Sequence, residues 1–185
     1  MEFFQPWKIT VAKLNVKDKI DITALQNDVM SLSLMTDNED EHQSFVNSDF
    51  IPTIIQLRDE IVIPAVKQFA LEVFEYELKD FEVDTNAKWI KEGEGLFPHY
   101  HPGSFLSAII YPTDSESGLN FFDPRGNACR GYPRSMRTRE FGTRSISPRE
   151  GDIYIFPSYL QHSVSYVKEE LRLSLLHEFY VNGDR

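Results

Sequence analysis

The chain carries five histidines, and two of them, His99 and His101, stand one residue apart in FPHYHPGSF. Neutral imidazole is a ligand for iron, zinc, copper and nickel alike. In an extended segment, side chains at i and i+2 leave on the same face, so both rings would aim at one point. A pair is not a complete site. An isolated H-x-H is equally well one hydrogen-bonded core histidine and one surface histidine, so a third ligand has to arrive from another strand. His162, which follows GDIYIFPSYLQ, is the candidate. Ten residues on, Arg172 and Ser174 put a guanidinium fork and a hydroxyl on one face of a strand, a geometry suited to a carboxylate. His177 reads as an ordinary strand position and His42 as part of an acidic loop, and neither is given a role.

The elements that must position these residues change character along the chain. PWKITVAKL alternates as an early strand, and DITALQNDVMSLSLM places Ile22, Leu25, Val29 and Leu32 at helical spacing behind an Asp21 cap. TDNEDEHQSFVNSD reads as a loop. After it, Ile54, Leu57, Ile61, Ala65, Phe69 and Val73 share one face of a long helix that should kink or break at Pro64. From residue 81 the period shortens. FEVDTNAKWIKEG, FLSAIIYP, GLNFFDP, TRSISP, GDIYIFPS, HSVSYV and LRLSLLHEFYV are short apolar or alternating runs between Gly, Pro, Asp and Ser, as in a sandwich or barrel. The organisation expected is a single domain over 1–185, with an early strand and supporting helices in 1–80 and a β core in 81–185.

H-x-H-P ahead of SAIIYP, then SGLNFFDPR, then GDIYIFPSYLQHSVSYVKEELRLSL, together resemble the 2-oxoglutarate and Fe(II)-dependent dioxygenases. More narrowly, they are similar to bacterial and phage oxygenases with H-x-H-P, D-P-R and F-P-S-x-L-x-H signatures. The resemblance covers residues 85 to 181. It implies a mainly β fold with flanking helices, a double-stranded β-helix of the cupin-like jelly-roll type, and it implies Fe(II), 2-oxoglutarate as co-substrate and O2. Residue by residue, His99 matches the first metal ligand of the family and His162 the distal one. Arg172 and Ser174 match the pair that binds the far carboxylate of 2-oxoglutarate, and Tyr111, ending SAIIY, matches a tyrosine that joins it. His99, His101, His162 and Arg172 are the implied catalytic set.

His101 departs from the pattern, because the family usually has a carboxylate there. Either three histidines bind the metal, or His101 stands outside and Asp123 of FFDPR supplies the carboxylate. The i, i+2 convergence favours the first, since Asp123 precedes a proline and has the setting of a turn residue. Three neutral ligands leave the full +2 charge on the metal and favour an anionic co-substrate. The activity implied is that of a hydroxylase, coupling oxidative decarboxylation of 2-oxoglutarate to oxidation of a small-molecule or peptidyl substrate. Two alternatives stand beside it: a cupin-type metal dioxygenase without 2-oxoglutarate, which would have no use for Arg172 and Ser174, and a non-catalytic metal-binding protein.

The remaining composition narrows the setting. A hydrophobic content of 41%, with 14 Phe and 8 Tyr, implies a packed interior. Cys129 is the only cysteine, so no internal disulfide forms, and MEFFQPWKIT lacks the basic start and apolar core of a signal peptide. A cytoplasmic protein without a membrane segment is expected. The net charge of −10 speaks against non-specific nucleic-acid binding. Residues 123–150 run against that trend, with seven arginines (125, 130, 134, 137, 139, 144 and 149) and three acids. This Arg-rich insert, at 125–149, is expected to be a mobile cationic flap over an anionic substrate.

Overall fold

The computed structural model describes residues 9–35, 43–125, 130–140 and 142–182. Its elements are β1 (Ala12–Asn15), α1 (Ile22–Met35), β2 (Gln43–Asn47), α2 (Pro52–Leu57), α3 (Ile63–Phe74), β3 (Phe81–Lys91), β4 (Leu96–His99), β5 (Leu106–Ile110), β6 (Leu119–Phe122), α4 (Arg134–Glu140), β7 (Thr143–Ile146), β8 (Asp152–Pro157), β9 (His162–Val164) and β10 (Leu171–Val181). The strands form a six-stranded sheet, ordered β1-β8-β5-β10-β3-β2, and a four-stranded sheet, ordered β4-β9-β6-β7. Every neighbouring pair is antiparallel.

The helices cover one face of the large sheet. The carboxylate of Asp21 caps α1 by accepting the Ala24 N–H at 2.9 Å, and Leu25, Val29 and Leu32 are buried. Helices α2 and α3 are joined by a π-helical turn, Arg58–Val62, immediately ahead of Pro64. Proline offers no N–H to the ladder, and the wider turn accommodates that loss without breaking the helix. The wider turn advances the buried face by one residue: Val62 and Val66 are buried, whereas Ile61 and Ala65, expected from a regular period, are only partly so.

Both faces of the large sheet are covered, which explains why LSAII and DIYIFP are buried at every position instead of alternating. Ala108, Ile110, Ile153, Ile155, Leu173 and Leu175 pack toward the helices. Ile109, Tyr111, Tyr154, Phe156 and Leu176 point the other way, against Leu119 and Phe121 of the small sheet. Phe156 is fully buried there, a contribution of roughly 1.5–3 kcal/mol for a side chain of this size. Gly151 fixes the entry to β8. Its φ is +80° and a Cβ would lie 2.6 Å from the Lys17 nitrogen, so only glycine fits the turn.

Three expectations need correction. Part of the acidic loop is strand β2, whose backbone pairs with β3 at the sheet edge from Gln43 to Asn47; His42 lies outside the described residues. The Arg-rich insert contains α4 and then β7, whose four residues pair with β6, so its last part is an edge strand and not a flap. Residues 126–129 and 141, with Cys129, lie outside the described residues, and Arg139 is described in its backbone only. Finally, His101 falls beyond β4, which ends at His99. No helix among the described residues is long and apolar enough to cross a membrane.

Candidate active site

His99 and His162 face each other across the β4–β9 pair, where the register shifts between Leu96 and His99. His101 is held beyond the strand end by its own N–H, which donates to the Ser158 carbonyl at 3.0 Å. Sequence reasoning expected convergence from strand alternation; the structure achieves it with one strand residue and one anchored loop residue. The ligand nitrogens of all three histidines lie within 4.8 Å of one another.

Each ring is oriented by an acceptor on its Nδ1. His99 meets the Phe97 carbonyl at 2.8 Å, His162 the Leu160 carbonyl at 2.9 Å, and His101 the Glu178 carboxylate at 2.9 Å. A proton on each Nδ1 leaves each Nε2 with a free lone pair, the form that coordinates a metal. The Nε2 atoms of His101 and His162 are 3.1 Å apart. At that distance either one ring donates an N–H to the other or both turn their lone pairs to a shared cation, and neighbouring ligands with bonds of about 2.1 Å at a right angle are separated by about 3.0 Å. The donor set therefore fits a first-row metal ion. Burial pushes the His162 pKa down to about 3 and lowers that of His99 as well, so both rings stay neutral and ready to ligate.

Asp123 is not brought to this cluster. Its carboxylate takes the Arg125 side chain at 2.6 to 3.1 Å and the Arg125 backbone N–H at 2.9 Å. The hydrogen bonds from Arg125 hold its carboxyl below the usual range. It closes the turn after β6.

Arg172 lies six residues before Glu178 on β10, 2% exposed. Its Nη2 donates to the Tyr111 hydroxyl at 2.9 Å and its Nε to the Ser115 hydroxyl at 3.2 Å, and it lies 4.8 Å over the Tyr111 ring. Ser115 is held in turn by Glu169, which accepts from it at 2.5 Å and from Ser117 at 2.7 Å. Burial raises the Tyr111 pKa, so the phenol stays a neutral partner. Among the described residues no carboxylate pairs with Arg172. A buried guanidinium with only neutral partners is a costly arrangement that a bound anion would relieve. Ser174, buried, points inward beside it, since Leu173 and Leu175 face the helices.

Residues 87–177, which include the three histidines, Tyr111, Arg172 and Ser174, match the family model described as "Putative 2OG-Fe(II) oxygenase". Over that span the chain carries the sequence pattern of the 2OG-Fe(II) oxygenase family. Among solved structures it is similar to a Pseudomonas putida prolyl-4-hydroxylase (14% identity, 95% of this chain and 94% of that one, TM-score 0.68). It is also similar to HygX from Streptomyces hygroscopicus with nickel and 2-oxoglutarate bound (13% identity, 94% and 83% covered, TM-score 0.67). The non-heme alpha-ketoglutarate-dependent epimerase SnoN from nogalamycin biosynthesis is a third (14% identity, 94% and 79% covered, TM-score 0.66). At these identities the likeness establishes the double-stranded β-helix fold. No curated protein sequence matches the chain.

As a 2OG-Fe(II) oxygenase the protein uses iron, 2-oxoglutarate and O2, and the alternative of a cupin dioxygenase without 2-oxoglutarate falls away. Sequence reasoning missed Glu178 and Ser115. Glu178 was within reach, because two-residue steps from Arg172 through Ser174 and Leu176 lead to it on the same face. Its partner His101 was not, since that contact spans two sheets.

Proposed function

We propose that this 2OG-Fe(II) oxygenase is a hydroxylase in which His99, His101 and His162 hold the iron and Arg172, Ser174 and Tyr111 hold the far carboxylate of 2-oxoglutarate. One observation carries it: a ligand nitrogen from each of three histidines lies within 4.8 Å of the others, in a barrel that also contains a buried guanidinium without an anionic partner among the described residues. When bound, iron, co-substrate and O2 supply the oxidising chemistry and turn 2-oxoglutarate into succinate and carbon dioxide. The chain's own residues bind and orient. The Phe97 and Leu160 carbonyls and Glu178 fix the imidazoles, and Tyr111 and Ser115 aim the Arg172 fork. Phe121 and Phe156, packed 5.0 Å apart and with Phe156 5.0 Å from the His162 ring, keep water from that side.

Glu178 replaces the missing carboxylate ligand at one remove. It places its negative charge on the far side of His101, where it raises the basicity of the coordinating nitrogen. The substrate is a small molecule or a peptidyl group, and the exposed Arg134 and Arg137 of α4 favour an anionic one. A cytoplasmic setting accords with the single cysteine. The test is anaerobic titration of the Fe(II) protein with 2-oxoglutarate, followed by its weak visible charge-transfer band. Appearance of the band in the parent protein and its loss in His162→Ala supports the assignment; a parent protein that binds Fe(II) but gives no band overturns it.

A further inference from the structure

The interior of the barrel contains a second cation that the assignments above leave unused. Lys88 sits in the middle of β3, directly opposite Ser174 of β10 in the strand register, while Arg172 stands opposite Ile90. Its neighbours Ala87 and Trp89 belong to the core under the helices, so by alternation Lys88 points into the space between the sheets. It is partly buried, and among the described residues its ammonium has neither a hydrogen bond nor an ion pair. The negative charge that bears on it is Glu178, whose carboxylate is already committed to His101. Lysine is a residue that avoids burial without a partner, yet here two unpaired cations share one interior.

Its position along the barrel follows from the strand register. Its partner Ser174 stands two residues from Arg172 and four from Glu178, the acceptor of His101, and the Lys88 charge bears on Arg172, His99 and His162 alike. That is the interval a ligand would span if its one end lay on the histidines' metal and its other end on Arg172. Resting on the proposed function, we infer that Lys88 is a second cation of the co-substrate site, so that the two negative charges of 2-oxoglutarate meet two protein cations, Arg172 and Lys88. Burial and the Arg172 charge lower the ammonium pKa to about 8, a tension that a dianion lying between the two cations relieves. Lys88 is a binding and positioning group and takes no part in metal ligation.

The experiment is calorimetric titration of 2-oxoglutarate into Mn(II)-loaded protein, in parent, Lys88→Met and Lys88→Arg forms, with Mn(II) affinity and thermal midpoint measured alongside. Lys88→Met should weaken 2-oxoglutarate binding by about tenfold or more, while Lys88→Arg, which keeps the charge, should recover most of the loss. Mn(II) affinity of the Met variant should be equal to the parent's or higher, since a cation near the histidines has been removed. Met matches the lysine stem, so the fold should persist, and an unchanged thermal midpoint separates a binding role from a structural one. Unaltered 2-oxoglutarate affinity in Lys88→Met overturns the inference, as does a loss that Lys88→Arg fails to recover. A parent protein that binds Mn(II) but no 2-oxoglutarate would instead sink the proposed function, so the two failures are distinct.

Discussion

Replacing Arg172 with leucine tests the co-substrate site most directly. A guanidinium carries five N–H donors, of which the Tyr111 and Ser115 hydroxyls claim two. Three remain for an anion, enough for a bidentate pair with one carboxylate. Each hydrogen bond to a charged group contributes about 1.5–3 kcal/mol, and truncating one partner of a buried charge pair costs roughly 2–5 kcal/mol in total. Those figures correspond to a loss of about thirtyfold to several thousandfold in affinity. The metal site should be spared, because none of the three histidines touches Arg172.

The assay is titration of 2-oxoglutarate into metal-loaded parent and Arg172→Leu protein, with a separate titration of Mn(II) into each. The expected result is a large loss for 2-oxoglutarate beside an unchanged Mn(II) affinity. Arg172→Lys should fall between, keeping the charge without the fork. Tyr111→Phe should lose less than Arg172→Leu, since the phenol supports the guanidinium through a single bond. If Arg172→Leu binds 2-oxoglutarate as tightly as the parent, the buried guanidinium serves the fold alone and the assignment is wrong.

Three further outcomes follow from particular contacts. Glu178→Ala should weaken Mn(II) or Fe(II) binding by about 10–100-fold without abolishing it, as calorimetry would register, because His101 keeps its backbone anchor but loses the acceptor that orients its ring. The metal-free protein should lose stability on acidification: His162 and His177 are buried with pKa values of about 3 against 6.5 unfolded, so their contribution is complete above pH 6.5 and declines as the pH falls toward 3, at a cost of about 2 kcal/mol each by pH 5. Urea midpoints at pH 8 and pH 5 check this, and His177→Leu should lose about half as much as the parent. Gly151→Ala should destabilise by about 1–3 kcal/mol in the same assay, because alanine meets both a φ of +80° and the Lys17 backbone.

The absence of a carboxylate at position 101 changes where charge resides rather than how much is available. With three neutral ligands the negative charge closest to the histidines is Glu178, acting through the His101 ring. Against it the interior holds Arg172 and Lys88, and Glu169 reaches Arg172 only through the Ser115 hydroxyl, so neither cation has a direct anionic partner among the described residues. A dicarboxylate is the co-substrate such an interior favours, and a metal ion bound without it would be met by repulsion. Tight metal binding and co-substrate binding should therefore reinforce one another here, since each supplies charge that the other lacks.

The portions of this site that could be read in the sequence are those set by short-range geometry. The i, i+2 step of β10 put Arg172 and Ser174 on one face, and the short strands from residue 81 onward announced two sheets. The helix spacing failed locally after Arg58, where the π turn ahead of Pro64 moved the buried positions from Ile61 and Ala65 to Val62 and Val66, while Phe69 is buried as expected. His101 was placed correctly beside His99 for an incomplete reason: the strand ends at His99, and a backbone bond to Ser158 does what alternation was expected to do. Lys88 illustrates the limit. Its inward direction follows from its neighbours Ala87 and Trp89, but its meaning depends on lying opposite Ser174, a pairing that joins residues 86 positions apart. Strand register across that distance is fixed by the packing of both sheets and the helix layer together, and no local pattern contains it.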